Sequence, residues 1–132
     1  MEIIGCVTGE LLAVVQRIEE IQGGLNFLTP NSAYIQTATW KYNKEKQFTI
    51  HKHIENKREV RKTQETVVVL EGKLKVTIWD ENDGPVEIIL NEKDFIILLA
   101  GWHTFECLVD NTKILEVKNG PFTSVEKDKV LT

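Results

Sequence analysis

The amino-acid sequence predicts an all-β fold, a single-domain sandwich or barrel of short antiparallel strands. Three observations point there. The second half alternates short apolar runs with polar turns, at a spacing of about 8–12 residues, as β-sandwiches and barrels do. Within that half, Lys73-Leu74-Lys75-Val76-Thr77-Ile78-Trp79 alternates polar and apolar residues with period two, the signature of a half-buried strand. Finally, 132 residues with 42% hydrophobic and 27% charged side chains suffice for one hydrophobic core, and that balance excludes intrinsic disorder.

Taken in order, Gly9 to Ile21 fits two patterns. Leu11, Leu12, Val14, Val15, Ile18 and Ile21 make a helical stripe, while Leu11 to Val15 equally suits an edge strand followed by a helical turn. Gly23-Gly24 ends either one. Tyr34 to Tyr42 and Gln47 to His53 are expected as strands around the turn Asn43-Lys44-Glu45-Lys46. Thr66 to Leu70 is continuous and β-branched, and Glu71-Gly72-Lys73 is a hairpin signal. Asp80 to Pro85 is a second turn, after which Val86 to Leu90, Phe95 to Leu99, Thr104 to Val109 and Ile114 to Lys118 supply four more strands. The polar tail from Thr123 to Thr132 is expected to fray.

Charge and composition narrow the function classes. A net charge of −4 gives nucleic acid no general reason to bind. No apolar run approaches the roughly 20 residues of a membrane-spanning helix. Met1-Glu2-Ile3-Ile4 lacks a basic region and a small-residue cleavage site, so no secretory leader is expected. Two cysteines, Cys6 and Cys107, are too few for a disulfide framework, and a reducing cytoplasm is the expected location. The charge is uneven. Lys41 to Lys62 holds eight basic residues against three acidic ones, leaving 8 basic and 17 acidic residues elsewhere. Beside a pocket, such a stretch forms a positive rim for a carboxylate or phosphate; otherwise it is a solvated loop.

The three histidines are the chemically pointed residues. His51 and His53, two apart in an expected strand, leave the same face, and His103 follows Gly101-Trp102 at the start of another. If that face is interior, His51 and His53 converge on one point, and with His103 at the mouth of a later strand they make a plausible metal constellation.

These residues resemble the cupin superfamily. His51-Lys52-His53 supplies an H-x-H, Glu65 is followed after six residues by Gly72, and Ala100-Gly101-Trp102-His103 supplies a second-motif histidine. Arg61 to Glu65 and the ending Leu115 to Phe122 are similar to small single-domain cupins that accompany surface-polysaccharide and sugar-nucleotide biosynthesis. The resemblance implies one cupin-like domain over 1–132: an N-terminal extension over 1–33, a jelly-roll barrel over 34–122 and a frayed tail over 123–132. The chain departs from the pattern in four places. Eleven residues separate His53 from Glu65 where three or four are usual, and Lys93 stands where a glycine is usual. A proline is missing ahead of Gly101, and Cys107 replaces an asparagine.

The resemblance implies that His51, His53, Glu65 and His103 hold one divalent transition metal, and Fe, Mn, Ni, Co and Zn all suit such an N₃O set. Without metal, Glu65 beside the imidazoles is a candidate general base. Arg61 is the expected grip on an anionic substrate, because its fork matches phosphate and carboxylate. Trp40, Tyr42 and Trp102 are candidates to line the pocket mouth, and Glu116 is a candidate substrate contact. Cys107 shares a face with His103 and Phe105 as a buried thiol. Three functions remain open. They are metal-dependent isomerase, epimerase or lyase chemistry on a small carbohydrate or organic acid, non-catalytic binding of a sugar or anion, and an Fe(II)-dependent dioxygenase. The partners expected are a small molecule and a second copy in a homodimer, paired through the amino-terminal segment, with no nucleic acid and no membrane.

Overall fold

The computed structural model describes residues 1–131. The chain is all-β, with 40% strand and 5% helix in three antiparallel sheets that do not close into a barrel among the described residues. Its strands are β1 (Glu2–Gly5), β2 (Leu11–Gln16), β3 (Gly24–Phe27), β4 (Ala38–Lys41), β5 (Glu65–Glu71), β6 (Leu74–Trp79), β7 (Val86–Leu90), β8 (Phe95–Leu98), β9 (Trp102–Cys107) and β10 (Lys113–Lys118). A 3₁₀ turn spans Ile18–Glu20, and a one-turn helix α1 spans Val125–Asp128.

Five strands form one sheet in the order β1-β2-β8-β5-β10, and three form another in the order β7-β6-β9. The two pack face to face. Ala13, Val15, Val67, Val69, Ile96 and Leu98 of the first sheet meet Leu74, Val76, Ile78, Ile88 and Leu90 of the second in the main core. Strand β6 buries Leu74, Val76 and Ile78 and leaves Lys75, Thr77 and Trp79 half-buried, as its period-two pattern requires. The runs Leu11–Gln16 and Phe95–Leu98 are continuous because β2 and β8 are covered on both faces. On the outer face, Val14, Phe95, Ile97 and Leu99 pack under Ile35, Leu28 and Ala33 from the segment around the β3–β4 hairpin.

The ambiguous stretch after Gly9 resolves as strand followed by a helical turn, with β2 an interior strand rather than an edge. Asp94 fixes that corner. It is buried, takes Arg17 Nη1 and the Ile18 amide at 3.0 Å, and also accepts from the Asn91 amide at 3.0 Å. Lys93 explains its own departure from glycine: it sits at φ 71° in the β7–β8 turn, in the left-handed region that glycine enters freely.

Three expectations require correction. Glu71-Gly72-Lys73 turns the chain from β5 to β6 but makes no hairpin, because β5 pairs with β8 and β10 in one sheet and β6 with β7 and β9 in another. The segment Gln47 to His53 is not a strand, and no strand occurs between Lys41 and Glu65. Alternation fixes which residues would share a face but supplies no partner, and nothing pairs with this segment. Its apolar side chains stand in solvent, Ile50 at 99% and Ile54 at 79% of full exposure. The tail is more ordered than expected, since Ser124 Oγ caps α1 by accepting from the Lys127 amide at 3.3 Å, and Asp128 accepts from the Thr63 hydroxyl.

Candidate functional site

Where β5 begins, the two sheets spread apart. Glu65 pairs with Leu98 on one side and Lys118 on the other, and its side chain points between the sheets. From the opposite sheet, His103, Phe105 and Cys107 lie across from Ile78, Val76 and Leu74, so all six share the interior face. Strands β9 and β10 end their respective sheets, so this side of the sandwich is open. Cys107 is therefore exposed rather than a buried thiol, because no further strand covers β9.

The opening is a cavity of about 600 Å³ lined by Glu65, Trp102, His103, Phe105, Glu116 and Lys118, among others. His103 Nε2 lies 3.2 Å from Glu65 Oε1, with the Glu65 side chain only 10% exposed. Lys118 Nζ lies 3.3 Å from Glu116 Oε1. Burial pushes the Glu65 carboxyl up. Hydrogen bonding from His103 and Glu116, with the field of His103 and Lys118, outweighs it and pulls the group down to about 2. Glu116 moves the other way: its hydrogen bond to Glu65, its burial and the Glu65 charge all raise its pKa, against the opposing pull of Lys118. For Lys118 burial opposes the charge, but Glu116, Glu65 and Asp128 raise its pKa. Two adjacent carboxyls are thus shifted in opposite directions, Glu65 down and Glu116 up.

Local backbone features aim these groups. Gly101, at φ +86°, leads into β9, and a Cβ there would meet the Trp79 carbonyl oxygen at 2.6 Å, so only glycine permits the approach that places His103. Gln64, which the sequence reading passed over, is buried and accepts from the Tyr34 and Ile35 amides at 2.7 and 3.1 Å. It also donates to the Leu99 carbonyl at 3.2 Å, anchoring the residue before Glu65. A buried amide flanking an acidic residue was the signal available for it.

The remaining expected residues are placed as follows. Trp102 lines the cavity and donates from Nε1 to Glu81 Oε1 at 3.0 Å. Trp40 does not line it; its ring stacks on Phe48 at 4.6 Å, beside Tyr42. Arg61 lies in the adjoining cleft, 3.3 Å from Glu59. His51 and His53 form a separate exposed pair with ring centroids 5.4 Å apart, and His51 Nδ1 lies 2.9 Å from the Thr49 carbonyl oxygen. The expected four-residue metal set is therefore split into two pairs and, as placed, does not fit one ion. The cause is the unpaired segment that carries the H-x-H.

Among the described residues, one group of three His, Cys, Asp or Glu ligand atoms falls within 4.8 Å: Cys6, Asp80 and Asp83. Its hydrogen bonds explain it as a clasp between turns. Asp80 accepts from the Asn82 and Asp83 amides at 2.9 and 2.8 Å, and Asp83 accepts from the Val7 amide at 2.7 Å. No helix among the described residues is long and apolar enough to cross a membrane. No family model, curated protein or solved structure matches the chain.

Proposed function

We propose that this chain is a cupin-like protein that binds a small carbohydrate or organic acid in the Glu65–His103 cavity and moves a proton on it, in isomerase, epimerase or lyase chemistry. The observation that carries the reading is the 3.2 Å contact between His103 Nε2 and the largely buried Glu65 carboxylate, at a cavity that Glu116 also lines. A carboxyl held at about 2 is a weak base at neutral pH, so Glu65 serves to orient the imidazole through their 3.2 Å contact. His103 is the proton carrier. Glu116, which lines the same cavity from β10, is the second carboxyl a bound ligand meets. Proton abstraction next to a carbonyl or carboxylate needs a positioned base, and an imidazole held by a carboxylate is such a group.

The same reading includes closure of the barrel. Strand β9 has a free edge, and the exposed segment Gln47 to His53 has no strand partner, so each can supply the other's pairing. If that segment docked beside β9, His51, His53, Glu65 and His103 would be the residues to hold a divalent transition metal, which would supply Lewis-acid polarisation of a substrate oxygen. The proton-transfer roles above do not depend on it. A homodimer is part of the proposal, supported by the unpaired outer edge of β1 and the exposed Ile3 on it.

The test incubates the protein with a panel of sugars, sugar acids and hydroxy acids in D₂O and follows solvent deuterium entering the carbon skeleton by NMR. Exchange in the wild type, lost in His103→Ala and retained in part in Glu65→Gln, supports the reading. Ligand-induced thermal stabilisation without exchange refutes it in favour of a non-catalytic binding module. Oxygen consumption on addition of Fe(II) and a panel member refutes it in favour of the dioxygenase.

A further inference from the structure

A second cleft, of about 550 Å³, adjoins the Glu65–His103 cavity, with Val60–Thr63 on one wall and Lys118–Asp128 on the other. Four cations, Arg61, Lys62, Lys118 and Lys127, line it against one carboxylate, Asp128. That carboxylate is already engaged by the Thr63 hydroxyl. Arg61 and Lys62 are paired only with Glu59 at 3.3 Å and Glu10 at 3.7 Å. Neither of those partners lines the cleft, and both pairs stand in solvent, where such contacts hold weakly and rearrange readily.

The walls are fixed before any ligand arrives. Asn119 Oδ1 accepts from the Gln64 amide at 2.7 Å, and its Nδ2 donates to the Lys62 carbonyl at 3.1 Å, stitching one wall to the other. The backbone that carries Arg61, Lys62 and Lys118 is thus already hydrogen-bonded, which lowers the ordering cost of binding.

We propose that this cleft binds the phosphate or diphosphate group of a small soluble molecule. A dianion makes use of several cations where a monoanion needs fewer, and the Arg61 fork matches two oxygens of a tetrahedral phosphate. The volume exceeds what one phosphate fills, leaving room for a diphosphate or for the first atoms of the group it carries. Phe122, 70% exposed on the same rim, offers an apolar face to that group. Outside Lys41 to Lys62 the chain holds 17 acidic against 8 basic residues, so a long polyanion is repelled where a small one is admitted. Thr63, Lys118 and Asp128 line both cavities, so a molecule anchored here by its phosphate extends toward His103. That last step, the identity of the anchored molecule with the one on which His103 acts, rests on the function proposed above; the anion site does not.

Isothermal titration with pyrophosphate tests it, using the full chain at low ionic strength. The expected result is saturable one-to-one binding with Kd below about 1 mM, weakening as salt is added. The double variant Arg61→Gln, Lys127→Gln is expected to bind at least about tenfold more weakly, a loss of roughly 1.4 kcal/mol, with an unchanged circular dichroism spectrum. His103→Ala is expected to bind pyrophosphate as the wild type does. Absence of saturable binding, or a double variant equal to the wild type, overturns the site. Co-sedimentation with phosphatidylserine vesicles at physiological salt, lost in the same double variant, overturns the assignment to a soluble ligand. Pyrophosphate binding without deuterium exchange on any panel member leaves the anion site standing and removes only the proton chemistry.

Discussion

Glu65→Gln keeps the shape of the side chain and removes the charge that faces His103, so it isolates the electrostatic part of the pocket. The Glu65 carboxyl lies at about 2 in the folded protein against 4.5 for an unperturbed glutamate. At about 1.4 kcal/mol per unit, the folded state therefore favours the carboxylate by about 3 kcal/mol at neutral pH. Because the folded value is the lower one, this stabilisation is fully present above the unfolded value of 4.5 and is lost as pH falls toward about 2. Glu116 has the opposite sign. Its raised pKa means the folded state holds a proton that the unfolded chain gives up, so stability at this residue falls as pH rises through the raised value. The two effects separate below 4.5, where the slope belongs to Glu65. Urea denaturation of wild type and Glu65→Gln along a series from about pH 7 to about pH 3 reads the difference. The wild type is expected to lose about 2 kcal/mol more than the variant between about pH 4.5 and about pH 3. Two curves separated by a constant offset across that range would show that Glu65 is not held ionised by the pocket, and the role assigned to it would fall with them.

Three further outcomes follow from residues described above. Lys93→Gly relieves a left-handed backbone at φ 71° and is expected to stabilise the fold by about 0.5–1 kcal/mol in the same denaturation assay, with the β7–β8 turn unchanged. Asp94→Ala leaves Arg17 and the Ile18 and Asn91 amides without their acceptor, and a loss of about 3–5 kcal/mol is expected, seen as a lowered Tm. Reconstitution with first-row divalent metals followed by elemental analysis is expected to give about one equivalent per chain in the wild type and none in His51→Ala, His53→Ala. In the metal-loaded wild type, amide exchange over residues 47–54 is expected to slow; a metal-free wild type, or unchanged exchange, counts against closure of the barrel by that segment.

The sequence by itself determined the all-β class, the alternating strand β6 and the strands over Val86–Leu90 and Phe95–Leu98. Each of these rests on local chemistry, namely period-two alternation, turn residues and side-chain type, which the order of residues states directly. It also marked Lys93 as a departure, although only the positive φ gave the reason. What the tertiary structure alone decided depends on which strand finds which neighbour. Leu11–Gln16 is interior because β8 takes its second edge and the segment around the β3–β4 hairpin covers its outer face, neither of which its own residues specify. Gln47 to His53 alternates only at Phe48 and Ile50 before three polar residues, and it forms no strand, because a ladder needs a partner at hydrogen-bonding distance and none is supplied. The split between the Glu65 and Glu116 carboxyls is likewise tertiary. Two glutamates fifty-one positions apart acquire opposite shifts only because β5 and β10 pair in register, setting one beside His103 and both beside Lys118.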